Sequence, residues 1–408
     1  MPAEQSIKIA VRGLTKIFGD EPEKALELLA QGADKKTILE KTGQTVGVAD
    51  ASFDVYEGEI LVVMGLSGSG KSSLIRCLNR LNEPTRGEIL IDGEDIVGLD
   101  HHQLLETRRR KFGMVFQHFA LFPHRTIREN VEYGLEIQGV APEVRAEKAI
   151  TALRQVGLEG WEDARPDQLS GGMQQRVGLA RALAVDPDVL LMDEAFSALD
   201  PLIRRDMQQE LVALQNRLQK TIVFITHDLD EALYLGNRIV LMKDARIEQV
   251  GTGEEILSDP ATAYVERFVA EVDKTKVLTA SAVMHRVRNV AFLTDGPRTV
   301  LRKMDEQNLS ALFVVSGDFK LQGMVRDETA LAAVQRGERS IQEILEPCAD
   351  PVSPDTPVRD LFAPLAQSPM PAPVVDDEGK LKGQVVRASL LQGLAEHSSS
   401  EDSAEEAA

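Results

Sequence analysis

A lysine set directly after the last of three glycines, with two serines behind it, is the pattern in this sequence that speaks most plainly of chemistry. It lies in Gly65-Leu66-Ser67-Gly68-Ser69-Gly70-Lys71-Ser72-Ser73. Glycines there let the backbone curl so that successive N–H groups turn inward on an anion, and a helix opening behind them adds its positive end. Lys71 is placed to reach the β and γ phosphates of a nucleotide, and Ser72 to ligate Mg²⁺. Such a loop needs a strand in front and a helix behind. The apolar run Ile60-Leu61-Val62-Val63-Met64 and the helix-compatible Ser73-Leu74-Ile75-Arg76-Cys77-Leu78 provide both. A plain Gly/Ser turn would leave the lysine without a reason.

Four further positions share a strand-end placement or a glycine turn. Asp188-Val189-Leu190-Leu191-Met192 reads as a buried strand and ends in Asp193-Glu194. The aspartate suits Mg²⁺ held through water, and the glutamate beside it can activate an attacking water. Gln117 closes the strand-like Phe112-Gly113-Met114-Val115-Phe116, and His227 follows Thr221-Ile222-Val223-Phe224-Ile225-Thr226. Open α/β sheets place ligands at these strand ends. Leu169-Ser170-Gly171-Gly172-Met173-Gln174-Gln175-Arg176 is a second Ser/Gly turn, opening a helix through Leu179, Ala180, Leu183 and Ala184. One nucleotide cannot fill two anion sites in a single fold, so this turn is expected to serve the nucleotide of another subunit. Ser197-Ala198-Leu199-Asp200-Pro201 turns the chain between the two. Phe18, upstream of the first loop, either stacks on adenine or joins the core.

The elements that must carry these residues are partly legible. Residues 7–14 alternate well enough for an edge strand, with a turn over 15–19. Residues 21–41 read as one or two helical pieces, with Leu26, Leu29, Ile38 and Leu39 apolar and a break at Gly32, and they look like an insertion. Strand character returns at 46–48 and 51–55. The basic run 108–111 reads as a solvated approach to a strand. Residues 118–168 are mostly helical in pattern, with an N-cap at Thr126 and a break at Gly157.

Composition sets outer bounds. A chain of 408 residues has room for two or three domains. Its two cysteines, Cys77 and Cys348, suggest neither a disulfide framework nor a zinc site and fit a reducing compartment. The opening MPAEQSIKIAVRGLTK lacks a signal-peptide core, and no segment approaches the about 20 apolar residues that span a bilayer. A net charge of −19 argues against general affinity for nucleic acid, which rests on Lys and Arg displacing counterions from phosphates. The expectation is a cytosolic protein, or one held at a membrane by a partner.

The ordered set GLSGSGKSS, Gln117, LSGGMQQR, LLMDEAFSALD and ITHD resembles the ATP-binding subunit of ABC transporters, from about residue 7 to residue 270. The resemblance implies an α/β fold: a P-loop ABC ATPase with a RecA-like core, an antiparallel β subdomain and a helical subdomain over about 118–180. It puts Phe18 at the adenine-stacking position and makes Gln117 a sensor of the γ-phosphate and of the membrane partner, with Ser72, Gln117 and Asp193 around Mg²⁺. By the same resemblance Ser170, Gly171, Gly172 and Gln174 complete the ATP site of a second copy, Asp200 joins the two sites, and Lys71, Glu194 and His227 carry the hydrolysis. The run HFALFPHRTIRENVEYGLE looks like that of bacterial uptake systems. The insertion and RFVAEVDKTKVL near residue 270 resemble the glycine betaine/proline betaine subfamily, whose members import quaternary amines.

Beyond residue 275 the nucleotide motifs stop and an internal repeat begins. Leu312-Phe313-Val314-Val315 followed by Lys320-Leu321-Gln322-Gly323 matches Pro373-Val374-Val375 followed by Lys380-Leu381-Lys382-Gly383. Each copy continues into an apolar stretch and a helix, so the repeat implies two similar units burying a shared face. It resembles a tandem pair of CBS domains, over about 276–337 and 338–397. Where adenosine-binding CBS domains carry Ser or Thr and then Asp, this chain has Arg326 and Thr329, then Val386 and Ser389. That departure favours ionic strength or a cyclic dinucleotide as the signal over AMP or ATP. Residues 398–408 have the composition of an acidic disordered tail.

The expected protein is a homodimeric ATPase using ATP and Mg²⁺, with an ATPase cassette over 1–275. It would sit at the cytoplasmic face of the inner membrane and energise import of glycine betaine, proline betaine, choline or a related osmolyte. Its partners would be a membrane permease and a substrate-binding protein. Two other readings are an importer ATPase for another solute, such as an amino acid, and a non-transport ABC ATPase. The latter usually carries two cassettes or a long coiled coil, which this chain lacks.

Overall fold

The strand before the glycine loop, Ile60–Met64, has all five residues buried, as a strand covered on both faces must. The computed structural model describes residues 6–117, 119–270, 278–287, 289–368 and 370–390. The acidic tail and the expected boundary at 275 lie outside the described residues. The chain divides into two units, Met1–Val272 and Asp273–Ala408.

The first unit opens with β1 (Ile7–Phe18), α1 (Pro22–Ala30), α2 (Lys35–Thr42), β2 (Thr45–Tyr56), β3 (Ile60–Met64), α3 (Lys71–Leu78), β4 (Arg86–Ile91) and β5 (Glu94–Asp95). Then come α4 (His101–Lys111), β6 (Phe112–Phe116), α5 (Ile127–Ile137), α6 (Pro142–Gln155), α7 (Gly171–Ala184), β7 (Val189–Asp193) and α8 (Pro201–Leu218). It closes with β8 (Thr221–Thr226), α9 (Leu229–Leu235), β9 (Arg238–Lys243), β10 (Arg246–Gly251), α10 (Gly253–Ser258) and α11 (Ala263–Val269).

Six strands form one sheet in the order β10-β9-β3-β8-β7-β6, parallel except for the β9–β10 hairpin. A second, antiparallel sheet runs β2-β1-β4-β5. One core joins the two: Ile9, Val11 and Phe53 of the antiparallel sheet pack with Leu61, Val63, Val223 and Val240 of the parallel one, and with Leu74 and Ile75 of α3.

Several expectations change here. β1 is an inner strand that runs on to Phe18, because β4 pairs with its free side. β2 is one strand, bent where Asp50 takes φ +54°. In the insertion, Asp34 caps α2 and Gly43, at φ +69°, ends it. Ile38 is buried but Leu39 is exposed. The basic run falls in the last turn of α4, and Arg108 donates to the Asn79 carbonyl at 2.7 Å, so it braces the end of α3. Thr126 caps α5 in a reciprocal pair with Glu129, as its sequence position suggests.

The second unit contains α12 (Ala280–Val283), β11 (Ala291–Phe292), α13 (Pro297–Asp305), β12 (Ala311–Val315), β13 (Leu321–Arg326), α14 (Asp327–Arg336), α15 (Val358–Gln367), β14 (Ala372–Val375) and β15 (Leu381–Val385). Its repeat is visible in the register. Val314 pairs with Gly323, and Val374 with Gly383. The copies meet reciprocally: Leu321 N–H donates to the Gly379 carbonyl and Leu381 N–H to the Phe319 carbonyl, each at 3.0 Å. Their cores exchange segments, since Leu278, Ala280 and Val283 pack with Val374 and Val385, while Ile341 and Ile344 pack with Val314 and Val325. Thr329 and Ser389 hold equivalent places, accepting from the Arg326 and Val386 N–H groups at 3.3 and 3.0 Å. Both hydroxyls are thereby engaged in starting helices.

Candidate nucleotide-hydrolysing site

Parallel pairing brings the predicted residues to one edge of the sheet. Phe116 lies opposite Asp193, Asp193 opposite Ile225, and Met64 opposite Thr226. Gln117, Glu194, His227 and the glycine loop therefore all leave the sheet at the C-terminal ends of their strands, where such sheets hold ligands.

The loop's glycines are required by its surroundings. A Cβ on Gly65, at φ +148°, would lie 2.2 Å from the Met242 carbonyl oxygen, and one on Gly70, at φ +105°, 2.3 Å from that of Gly47. Lys71 is buried, and its ammonium donates to the loop's own carbonyls, Gly65 at 2.8 Å and Leu66 at 3.1 Å. Burial pulls its pKa below the ordinary lysine value, opposed by the charges of Glu194 and Asp193. The Ser69 hydroxyl is buried without a hydrogen-bond partner among the described residues.

Ser72 Oγ donates to Asp193 Oδ1 at 3.0 Å, and Arg76 Nη2 meets Asp193 Oδ2 at 3.2 Å. A hydroxyl and a buried carboxylate side by side are an oxygen donor set that fits Mg²⁺, which takes few protein ligands and fills its octahedron with water and phosphate. Glu194 Oε2 lies 3.6 Å from His227 Nδ1. Phe18 is partly exposed at the end of β1. Its ring would stand 2.6 Å from a Cβ on Gly47, which would also lie 3.1 Å from Ser73 Oγ. Gln117 is exposed just past β6.

The second Ser/Gly turn stands elsewhere. Ser170 caps α7, accepting from Met173 N–H at 3.4 Å. Gly172 closes on α8, where a Cβ would lie 2.5 Å from Ile203 Cγ2, and Asp200 caps that helix. Among the described residues no hydrogen bond joins 170–174 to 65–73. Gln174 turns inward, donating to the carbonyls of Pro166 at 2.9 Å and Leu169 at 3.1 Å, so it holds its own turn together.

The profile described as ABC transporter matches residues 48–197, and that of the CBS domain matches 273–336. The glycine betaine transport ATP-binding protein OpuAA of Bacillus subtilis is 54% identical over 96% of this chain and 93% of its own length. The glycine betaine/carnitine transport ATP-binding protein GbuA of Listeria monocytogenes is 52% identical over 95% of this chain and 98% of its own. The chain belongs to the ATP-binding subunits of ABC transporters. Among solved structures, the dimeric, ADP- and phosphate-bound post-hydrolysis state of the ATP-binding cassette MJ0796 superposes with a TM-score of 0.51. It shares 33% sequence identity and covers 60% of this chain and 98% of that one.

Three features of this ABC ATPase escaped the sequence reading. Arg76 lies one helical turn beyond Ser72, so helix spacing alone puts both on the Asp193 side. Ala245, in the β9–β10 turn, donates its N–H to the Ser69 carbonyl at 3.0 Å, a contact without any sequence signature. Glu194 takes φ +49°, with its N–H on the Ile225 carbonyl at 3.2 Å and its own carbonyl accepting from Ser197 Oγ at 2.9 Å. No helix among the described residues is long and apolar enough to cross a membrane.

Proposed function

We propose that this ABC ATPase energises import of glycine betaine or a closely related quaternary amine through a membrane permease supplied by a substrate-binding protein. The observation that carries the reading is the extent of the likeness: 54% identity to a glycine betaine transport subunit persists over 96% of the chain, C-terminal third included. The cassette spans 1–275 and a tandem CBS module 276–397, and the protein lies against the cytoplasmic face of the membrane.

Two chains enclose two ATP molecules, each between the 65–73 loop of one chain and Ser170-Gly171-Gly172 of the other. Phe18 stacks on adenine. Loop N–H groups and Lys71 hold the β and γ phosphates, the ammonium exchanging loop carbonyls for phosphate oxygens. Ser72, Asp193 and Gln117 would hold Mg²⁺, which when bound would supply charge neutralisation at the phosphates. Glu194 takes the proton of the attacking water, and His227, 3.6 Å away, orients that carboxylate and faces the γ-phosphate. Asp200 couples the sites by fixing the start of α8 against α7. The second unit holds a cleft of about 430 Å³ with His285 and Arg286 on its wall, room for an anionic regulator such as a cyclic dinucleotide.

The test is uptake into ATP-loaded vesicles carrying the permease and this subunit. Labelled glycine betaine should accumulate with the wild-type chain and not with Lys71→Ala. Accumulation of an amino acid in place of betaine would contradict the substrate assignment.

A further inference from the structure

The insertion between β1 and β2 packs its own small core, Ala25, Leu26 and Ile38, against Ile17, Val46, Ala49 and Ala245. From that base it reaches the phosphate loop once directly and once through Ala245 of the β9–β10 turn. Lys35, first residue of α2, donates from Nζ to the Gly68 carbonyl at 2.9 Å. Ala245, buried in the insertion's core, donates to the next carbonyl, that of Ser69, at 3.0 Å.

In a planar trans peptide the C=O and the following N–H point to opposite sides. Holding the Ser69 carbonyl outward therefore sets the Gly70 N–H toward the loop's interior, where an anion is bound. Holding the Gly68 carbonyl sets the Ser69 N–H across the loop, where it donates to the Leu66 carbonyl at 3.1 Å and keeps the turn closed. The ammonium also places a positive charge on the exposed rim of the site, within a Debye length of a bound phosphate. We propose that Lys35 is a nucleotide-positioning residue, through which the insertion clamps the phosphate loop in its anion-binding shape. The inference rests on the reading of residues 65–73 as the phosphate site.

Lys36, its neighbour, is the internal control, since it is exposed and faces Glu40 at 4.0 Å. Binding of mant-ATP to the full-length protein, with KM and kcat for ATP, tests the clamp. Lys35→Met should weaken mant-ATP binding roughly three- to tenfold, the scale of a charged contact at a partly exposed site. KM should rise in step while kcat stays within about twofold, the signature of lost uniform binding. Lys35→Arg should restore affinity, and Lys36→Met should bind as wild type does. Wild-type affinity in Lys35→Met overturns the inference alone. So does a loss of kcat and melting temperature with KM unmoved, since that marks a structural role. Wild-type protein that binds no mant-ATP overturns the phosphate-site reading, and this inference with it.

Discussion

Glu194 sits in the left-handed region at φ +49°, which costs a residue bearing a Cβ roughly 1–2 kcal/mol. The backbone accepts this because both of its polar groups are held, and the carboxylate is thereby brought to His227. Strain of this kind at a strand end is what a site that must aim one side chain would show. Glu194→Gln should keep ATP binding and lose about 10²–10⁴-fold in phosphate release, the usual contribution of a general base. Release at the wild-type rate would remove Glu194 from the mechanism. Nearby Glu231 is buried against Gln208, whose Nε2 donates to Oε1 at 2.9 Å. Burial raises its pKa, with the hydrogen bonds of Thr226 and Gln208 opposing. A folded-state pKa above the unfolded one means that stability is withdrawn as pH climbs from the unfolded value through the folded one. Glu231→Gln should therefore raise the melting temperature more at about pH 8 than at about pH 4. Calorimetry at the two pH values would show it, and equal shifts at both would contradict the assignment.

Among the elements, the loop between β3 and α3 depends on backbone approach more than on side chains. Gly65→Ala puts a Cβ 2.2 Å from the Met242 carbonyl, between two strands that cannot part. It should abolish mant-ATP binding while leaving the helical content seen by circular dichroism. Retained binding would mean that the loop is not set by this contact. The parallel sheet and its strand-end residues were legible because buried parallel strands are written as unbroken apolar runs, and the loop opening at Gly65, Asp193 and His227 each close one. The antiparallel sheet was less so. The second partner of β1 arrives only at Arg86–Ile91, and residues 7–14 carry no sign of whether both sides are paired. Ile38 and Leu39 are equally apolar, and a one-residue step around the helix, about 100°, decides which is buried. Gln174 and Arg108 show the limit for polar groups, since their partners are carbonyls that any residue could present.

At the scale of the molecule, the repeat of the second unit closes on itself through reciprocal bonds between its copies, which makes it a compact module. With Thr329 and Ser389 engaged in capping, a regulator that acts through charge is the simpler assignment. Screening supplies one, because the Debye length falls from about 10 Å at 0.1 M salt to about 3 Å at 1 M. Deleting residues 276–408 should leave ATP hydrolysis intact and flatten the salt dependence of betaine uptake in vesicles. An unchanged salt response would move the module from regulation to dimer stability. In the first unit, Ser170 and Lys71 belong to separate constellations within one chain, as the proposed two-chain site requires. Light scattering of Glu194→Gln tests this most directly, because the variant should hold ATP in the closed pair. The mass should be that of two chains with Mg-ATP and of one chain when ATP is omitted. A single-chain mass under both conditions, at every protein concentration, would contradict the two-chain site.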